Sequence, residues 1–345
     1  MTPATEHEEN RILEPRLTHA LFGHAEAERA LLDAYRGGRI PHAWLIGGER
    51  GIGKATLAYR MARFVLAYPD PALPAVRNAE TLDVPAGHPA ARRIANQAHG
   101  GLLALRRVVN ERTGKLFTEI RVEDVRRCVP FFGSTAGEGG WRVCIVDPVD
   151  DLNREGANAL LKILEEPPPR ALLLLVSNAP GRVLPTIRSR CRTLTLRPLD
   201  RADVARALAA VRESTPDAPD IAAASEAADG SVGRALMLLE GDALDLRRHL
   251  VDLLGRLPQV DLRALHVLGD EIAGTGAEPL EVFMDTVNAW LSERLHSTPQ
   301  DGRLIRIAEA WEKVNRAGID TEAYNLDRKP FVFSVFGALA EAARA

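Results

Sequence analysis

Two hydrophobic patterns alternate along the first 200 residues and predict strands and helices in turn. Short runs dominated by apolar residues predict strands at 43–46, 102–109, 141–146, 171–176 and 192–196, and the run 171–176 is apolar throughout. Apolar positions at helical spacing predict amphipathic helices at 25–36, 55–67, 123–132 and 153–164. A weak alternation at 117–122 predicts a short edge strand. Strands that alternate with helices and are apolar on both faces favour an α/β fold with a parallel sheet covered by helices.

The pattern changes after Pro198, where the chain becomes helical throughout. We predict an α/β module at 1–198, a small helical segment at 199–242 and an all-α remainder at 243–345. Within the module, residues 1 to about 15 are predicted to be a loose tail. Prolines recur between residues 68 and 101, so this stretch is predicted to be an irregular insertion.

Composition narrows the class of protein. The 345 residues are 26% charged and 46% hydrophobic, with 44 Lys plus Arg against 47 Asp plus Glu, so overall charge gives no case for nucleic-acid binding. Cys128, Cys144 and Cys191 lie far apart and form neither a disulfide framework nor a CxxC pair, which favours a reducing compartment. A polar, acidic N-terminus and the lack of a roughly 20-residue apolar run predict a cytoplasmic protein without a signal peptide or membrane span.

A glycine-rich loop ending in lysine joins the first predicted strand to a helix. Such a loop turns backbone N–H groups toward a phosphate, and the helix N-terminus adds favourable partial charge. The position after Lys54 is Ala55, where a P-loop places a Ser or Thr that binds Mg²⁺. Thr56 is one residue late, a rotation of about 100° on a helix. The predicted nucleotide-binding residues of this loop are Gly48, Gly51, Gly53, Lys54, Ala55 and Thr56.

Two further polar residues follow apolar strands. Asp147 ends the strand 141–146, as the aspartate of a Walker B strand does, and it is either a metal-side residue or a vestige. Pro148 stands next, where ATPases of the AAA+ class carry a glutamate base. Asn178, or Ser177, ends the strand 171–176 and is either a γ-phosphate sensor or a turn residue.

Four stretches of the sequence resemble the AAA+ clamp-loader family of bacterial DNA polymerase III, and its delta-prime branch fits best. These stretches are Ser189-Arg190-Cys191, 159–168 (ALLKILEEPP), Gly23-His24 and 42–47. The resemblance covers residues 20 to 240. It implies a RecA-like AAA+ module, a helical lid at 199–242 and a helical collar at 243–345 that packs in a ring.

The resemblance also implies roles for two arginines. Arg190 of Ser-Arg-Cys matches the family's arginine finger, which acts in trans on a neighbour's ATP; the alternatives are a structural ion pair or Arg188 as the finger. Arg234 matches the sensor-2 arginine of the lid, or else is an exposed arginine at a helix start. Many family members bind zinc through four cysteines after the P-loop helix; the stretch 68–101 has none, so we expect no metal there.

The resulting hypothesis is a clamp-loader subunit that binds ATP or ADP without turnover. It would join gamma/tau-type ATPases and delta in a hetero-pentamer that places the sliding clamp on primed DNA at the replication fork. Alone it would be non-catalytic or weakly hydrolysing. Two alternatives are an active gamma/tau-type motor subunit, favoured by Lys54 with its glycines, and a stand-alone P-loop kinase.

Overall fold

A computed structural model describes residues 14–109, 117–133, 140–240, 242–273, 278–297, 302–324 and 326–344. The chain forms two compact units, Met1–Gly233 and Arg234–Ala345. The predicted N-terminal tail falls almost entirely outside the described residues. The division into three domains remains a prediction.

A five-stranded, wholly parallel sheet forms the centre of the first unit, which confirms the predicted fold class. Its strands are β1 (Ala43–Gly47), β2 (Leu102–Leu105), β3 (Arg142–Val146), β4 (Ala171–Ser177) and β5 (Arg192–Thr195). Their order is β2-β3-β4-β1-β5, so β1 lies between β4 and β5. Gly47 is in register with both Ser177 and Thr195, which aligns the carboxyl ends of these three strands.

Helices cover both faces of the sheet. They are α1 (Ala25–Arg36), α2 (Lys54–Ala67), α3 (Pro74–Arg77), α4 (Pro89–Ala95), α5 (Val122–Arg126), α6 (Cys128–Gly133), α7 (Arg154–Glu165), α8 (Pro185–Arg188), α9 (Arg201–Arg212) and α10 (Pro219–Ala227). One face packs on α2, with Leu57 and Phe64 in its core, and the other packs on α7, with Leu160 and Leu164. Strand residues alternate between these two cores, which is why β1 and β4 are apolar throughout.

The segment predicted as irregular contains α3 and α4, each with a proline in its first turn. Its Val76, Leu82 and Val84 are buried in the same core as α2. The Glu28 carboxylate of α1 accepts a hydrogen bond from the Leu82 amide, at 3.1 Å, and pairs with Arg60 of α2. The segment is therefore an integral part of the first core.

Three local predictions from the sequence are wrong in detail. No strand forms at 117–122 in its described residues, where Ile120 makes one isolated bridge to Leu152. The predicted helix 123–132 is two short helices, α5 and α6, interrupted at Arg127. The strand predicted at 102–109 ends at Leu105, where its pairing with β3 ends.

The second unit is helical in its described residues, as predicted. Helix α11 (Val232–Leu238) spans the division between the units, and α12 (Ala243–Gly255), α13 (Leu262–Ile272), α14 (Glu278–Ser297), α15 (Gly302–Ala323) and α16 (Arg328–Ala343) follow. Phe283 of α14 packs against Phe331 and Phe336 of α16, with ring centroids 5.6 and 6.4 Å away. These aromatic contacts hold α14 against α16.

Candidate functional site

The loop after β1 has the backbone conformation of a phosphate-binding loop. Its glycines Gly48, Gly51 and Gly53 have φ of 148°, 80° and 102°, a region that side-chain-bearing residues rarely adopt. The loop ends where α2 begins, at Lys54. The His24 ring Nε2 donates a hydrogen bond to the Ile52 carbonyl, at 2.7 Å, which fixes the loop against the start of α1. The loop thus combines positive-φ glycines with a helix N-terminus, two features that a phosphate-binding loop requires.

Lys54 is held inside this loop. The residue is only 4% exposed, and its ammonium donates to the Glu49 carbonyl. Burial lowers the pKa of Lys54 to about 8, although the nearby carboxylates of Asp147, Asp150 and Glu49 act to raise it. The amine therefore remains predominantly protonated at neutral pH and keeps the charge that a phosphate would pair with.

The first turn of α2 places Ala55 directly after this lysine. Ala55 is half-buried and packs against the α2 core, and Thr56 is half-buried one position further on. Because residue 55 is alanine, the loop has no hydroxyl at the position where a P-loop places its Mg²⁺ ligand.

Asp147 follows the carboxyl end of β3, as predicted. Its backbone amide donates to the Leu105 carbonyl of β2, at 2.9 Å. Burial raises the pKa of the Asp147 carboxyl, while the charges of Lys54 and Arg106 act to lower it. Asp147 and Lys54 therefore interact electrostatically across the carboxyl edge of the sheet. Whether Asp147 serves a metal stays a prediction.

The end of β4 is fixed by Asp150, which lies in the short 3-10 turn Val149–Asp151 that follows β3. The Asp150 carboxylate accepts hydrogen bonds from the Ser177 hydroxyl, at 2.7 Å, and from the Asn178 amide, at 2.5 Å. Ser177 is fully buried, and Asn178 is exposed. The backbone that carries the predicted sensor Asn178 is thus anchored to the segment after β3. The signal in the sequence was the position of Asp150, three residues after Asp147.

A segment more than 170 residues later in the chain closes over the loop. The Ser231 hydroxyl donates to the Arg50 carbonyl at 2.9 Å, and the Gly233 amide donates to the Gly51 carbonyl at 3.0 Å. The Cα atoms approach so closely that a Cβ on Gly51 would lie 2.4 Å from the Ser231 oxygen. The predicted lid therefore contacts the backbone of the predicted P-loop through one side-chain hydroxyl and one backbone amide.

Arg234, the predicted sensor-2 arginine, belongs to the second unit. Its Nε lies 3.5 Å from an Asp285 carboxylate oxygen of α14. Its role toward nucleotide stays a prediction.

Arg190, the predicted arginine finger, lies in the turn between α8 and β5. Its Nη1 donates to the Thr186 carbonyl at 2.9 Å, and its Nη2 pairs with the Glu165 carboxylate at 2.8 Å. Sequence reasoning did not single out Glu165 as a site residue, although it lies within the 159–168 stretch. The nearby candidate Arg188 is exposed.

The sheet separates Arg190 from the loop of its own chain. The loop follows Gly47 at the carboxyl end of β1, and Arg190 precedes Arg192, which is in register with Trp44 near the amino end of β1. Trp44 to Gly47 alone is roughly 10 Å of strand. The two candidate sites therefore lie at opposite ends of the parallel strands: the loop at the carboxyl ends and Arg190 at the amino ends.

The described residues show neither a cluster of metal ligands nor a membrane-spanning helix. Among them, no group of three or more His, Cys, Asp or Glu side chains is arranged to hold a metal ion. Within the same ranges, no helix combines the length and apolar character needed to cross a membrane.

Comparison with known proteins identifies the family. The family model described as "DNA polymerase III, delta subunit" matches residues 23–200, just over half of the chain. The delta' subunit of DNA polymerase III from Pseudomonas aeruginosa is 38% identical over 157 residues, which are 45% of this chain and 43% of that protein. The match thus spans less than half the length of that relative.

A longer match is to a gamma subunit. The DNA polymerase III gamma subunit of Buchnera aphidicola subsp. Acyrthosiphon pisum is 30% identical over 322 residues, covering 87% of this chain and 81% of that protein. Among solved structures, the Thermotoga maritima RuvB Holliday junction branch migration motor aligns over 93% of this chain and 91% of its own, with TM-score 0.46 and 13% identity. That likeness is too remote to carry an argument.

The family model and the curated relatives confirm the resemblance seen in the sequence, and the parallel sheet agrees with it. The chain belongs to the DNA polymerase III clamp-loader family, with delta' homologues among its relatives.

Proposed function

We propose that this chain is a clamp-loader subunit that hydrolyses little or no ATP itself and supplies Arg190 to the ATP of a neighbouring subunit. The main support for the proposal is that Arg190 lies at the amino ends of the strands, whereas the P-loop of the same chain lies at their carboxyl ends. An arginine side chain cannot span that separation, so a finger at this position serves another chain. Fingers supplied in trans contribute about 10³–10⁵ in rate.

Two residues support the loss of hydrolysis at the chain's own site. Ala55 provides no hydroxyl for Mg²⁺, and Pro148 provides no carboxylate to activate water. The backbone of the loop and the charge of Lys54 still fit a phosphate chain. We therefore expect ATP or ADP to bind through Gly48, Gly51, Gly53 and Lys54 without turnover.

The proposed assembly follows from the family. The delta' and gamma relatives are DNA polymerase III subunits by name, and we propose that this chain joins such ATPases, and delta, in a cytoplasmic hetero-pentamer. The pentamer would open a sliding clamp and place it on primed DNA. Within it, the segment at 199–242 would be the lid, with Arg234 facing nucleotide, and 243–345 would be the collar.

A gamma/tau-type motor is the second candidate. It is favoured by the left-handed glycines, the buried lysine and the interaction of Lys54 with Asp147, which together retain the geometry of a working phosphate site. The match to a gamma subunit over 87% of the chain also suits it. Family membership leaves the stand-alone kinase without support.

The test is the ATPase activity of the isolated chain and of the reconstituted loader. We expect the isolated chain to show no ATPase activity. We expect Arg190→Ala to lower the clamp- and DNA-stimulated ATPase rate of the loader, with hydrolysis at the one served site falling by about 10³-fold. Arg188→Ala tests the alternative finger, an exposed arginine two residues away, and should leave the rate unchanged if Arg190 is the finger.

Two results would count against the proposal. Hydrolysis by the isolated chain that Lys54→Ala abolishes would establish the motor instead. If a loader with Arg190→Ala assembles and hydrolyses ATP at the normal rate, Arg190 is not an arginine finger.

A further inference from the structure

The guanidinium of Arg190 has two short contacts with acceptors that belong to different elements, beside a longer one of 3.4 Å from Nη1 to the Ser189 hydroxyl. Glu165 is the last residue of α7 and binds Nη2, while the Thr186 carbonyl of α8 binds Nη1. An arginine has five N–H donors, so these two contacts leave others for incoming oxygens. The guanidinium is therefore oriented and still able to bind a phosphate.

Glu165 has a fixed backbone. Helix α7 begins at Asn153, whose side-chain oxygen accepts from the Gly156 amide at 2.8 Å, and its Leu160 and Leu164 are buried against the sheet. The helix ends at Glu165, just before three consecutive prolines. The carboxylate therefore projects from a rigid helix end rather than from a loop.

A carboxylate is unfavourable at that helix end. The carboxyl terminus of a helix carries partial negative charge, which repels Glu165 and attracts a cation. Arg190 provides the cation, so the pair compensates for a local electrostatic conflict. The same partial charge holds the guanidinium near the helix end.

Stability alone does not account for the pair. The side chains of Arg190 and Glu165 are 36% and 51% exposed, and exposed ion pairs contribute little to folding. What the pair does provide is restriction of a long side chain that otherwise samples many rotamers.

The geometry points to Glu165 as a positioning residue that pre-orients Arg190 for the phosphate of a neighbouring subunit's nucleotide. This inference rests on the proposed action of Arg190 in trans. A finger that is already oriented loses less conformational freedom when it binds the phosphate, so hydrolysis is faster.

The experiment measures clamp- and DNA-stimulated ATP hydrolysis by the reconstituted loader containing Glu165→Ala, Glu165→Gln or Glu166→Ala. Glu166 is the adjacent exposed carboxylate and serves as the matched control. We expect Glu165→Ala to lower kcat at the served site by about twofold to fivefold, the range of one exposed ion pair, with KM for ATP unchanged. Glu165→Gln keeps an acceptor oxygen and should recover much of the rate, and Glu166→Ala should match the wild type.

A double variant separates positioning from a general structural effect. In a loader carrying Arg190→Ala, adding Glu165→Ala should change nothing further. An equal loss in both backgrounds, no loss with Arg190 present, or a higher rate would each overturn the positioning role. If Arg190→Ala itself has no effect, the proposed function fails instead, so the two failures are distinguishable.

Discussion

The hydroxyl of Ser231 donates a 2.9 Å hydrogen bond to the backbone carbonyl of Arg50, across 181 residues of sequence. This bond and the one from Gly233 to Gly51 occupy two successive carbonyls of the predicted phosphate-binding loop. The conformation of the loop therefore depends on the segment that precedes the second unit, as well as on its own glycines.

Gly51→Ala should be strongly destabilising. Alanine there would combine a φ of 80° with a Cβ only 2.4 Å from the Ser231 oxygen. We expect a loss of roughly 2–4 kcal/mol in the free energy of unfolding, measured by urea denaturation. Gly38→Ala is the control, since its φ is 67° but its Cβ would meet open space, and it should cost roughly 1 kcal/mol. Equal losses in the two variants would show that the contact with Ser231 is unimportant.

Asp150→Ala should destabilise the chain through Ser177. The fully buried Ser177 hydroxyl would lose its acceptor, and the Asn178 amide would lose a charged partner. An unsatisfied buried polar group costs about 1–3 kcal/mol, which urea denaturation resolves. Asp150→Asn keeps one acceptor oxygen and should lose less. The prediction is wrong if the alanine and asparagine variants unfold at the same urea concentration.

Asp147→Asn should stabilise the chain at neutral pH. Burial raises the pKa of this carboxyl above its unfolded value, so above the folded pKa the native state carries a buried charge at a cost. Asparagine removes that cost, and we expect Tm to rise by roughly a few degrees at about pH 7. As pH falls through the folded pKa, the carboxyl becomes neutral and the difference should disappear. Asp217→Asn, at an exposed aspartate, should not change Tm, and a lower Tm for Asp147→Asn would contradict the prediction.

Ala55→Thr should restore Mg²⁺-dependent nucleotide binding without restoring hydrolysis. The new hydroxyl supplies the missing ligand, and we expect affinity for ATP to rise by about tenfold in the presence of Mg²⁺. Pro148 still provides no base, so turnover should stay low. Ala55→Val has the same shape without the hydroxyl and is the control. Isothermal titration with and without Mg²⁺ measures both, and equal affinities of the two variants for ATP would refute the missing-ligand argument.

Much of the fold was predictable because its central strands are buried on both faces. The apolar runs at β1, β3 and β4 predicted strands correctly for that reason, and the apolar spacing at 153–164 predicted helix α7. Elements that depend on a distant partner were not predictable. The strand expected at 117–122 lacks a continuous neighbour in its described residues, and α3 and α4 form where Val76 and Leu82 find a core.

The candidate site divides in the same way. The glycines, Lys54 and Asp147 follow strands directly, so their place at the sheet's carboxyl edge follows from topology. The contacts of Asp150 with Ser177, Ser231 with Arg50, and Glu165 with Arg190 join residues 25 or more positions apart. No local pattern encodes such pairs, because each requires the folded chain.

Arg190 and the P-loop lie at opposite ends of the parallel strands, and this separation has a consequence for how the subunit can evolve. Under the proposed function, substitutions around Ala55 and Pro148 would alter the chain's own nucleotide chemistry, while those around Glu165 and Arg190 would alter what it contributes to a neighbour. Selection can therefore act on the two functions separately. Gene duplication within a ring of ATPases can produce a subunit whose own site decays while its service to the adjacent site persists.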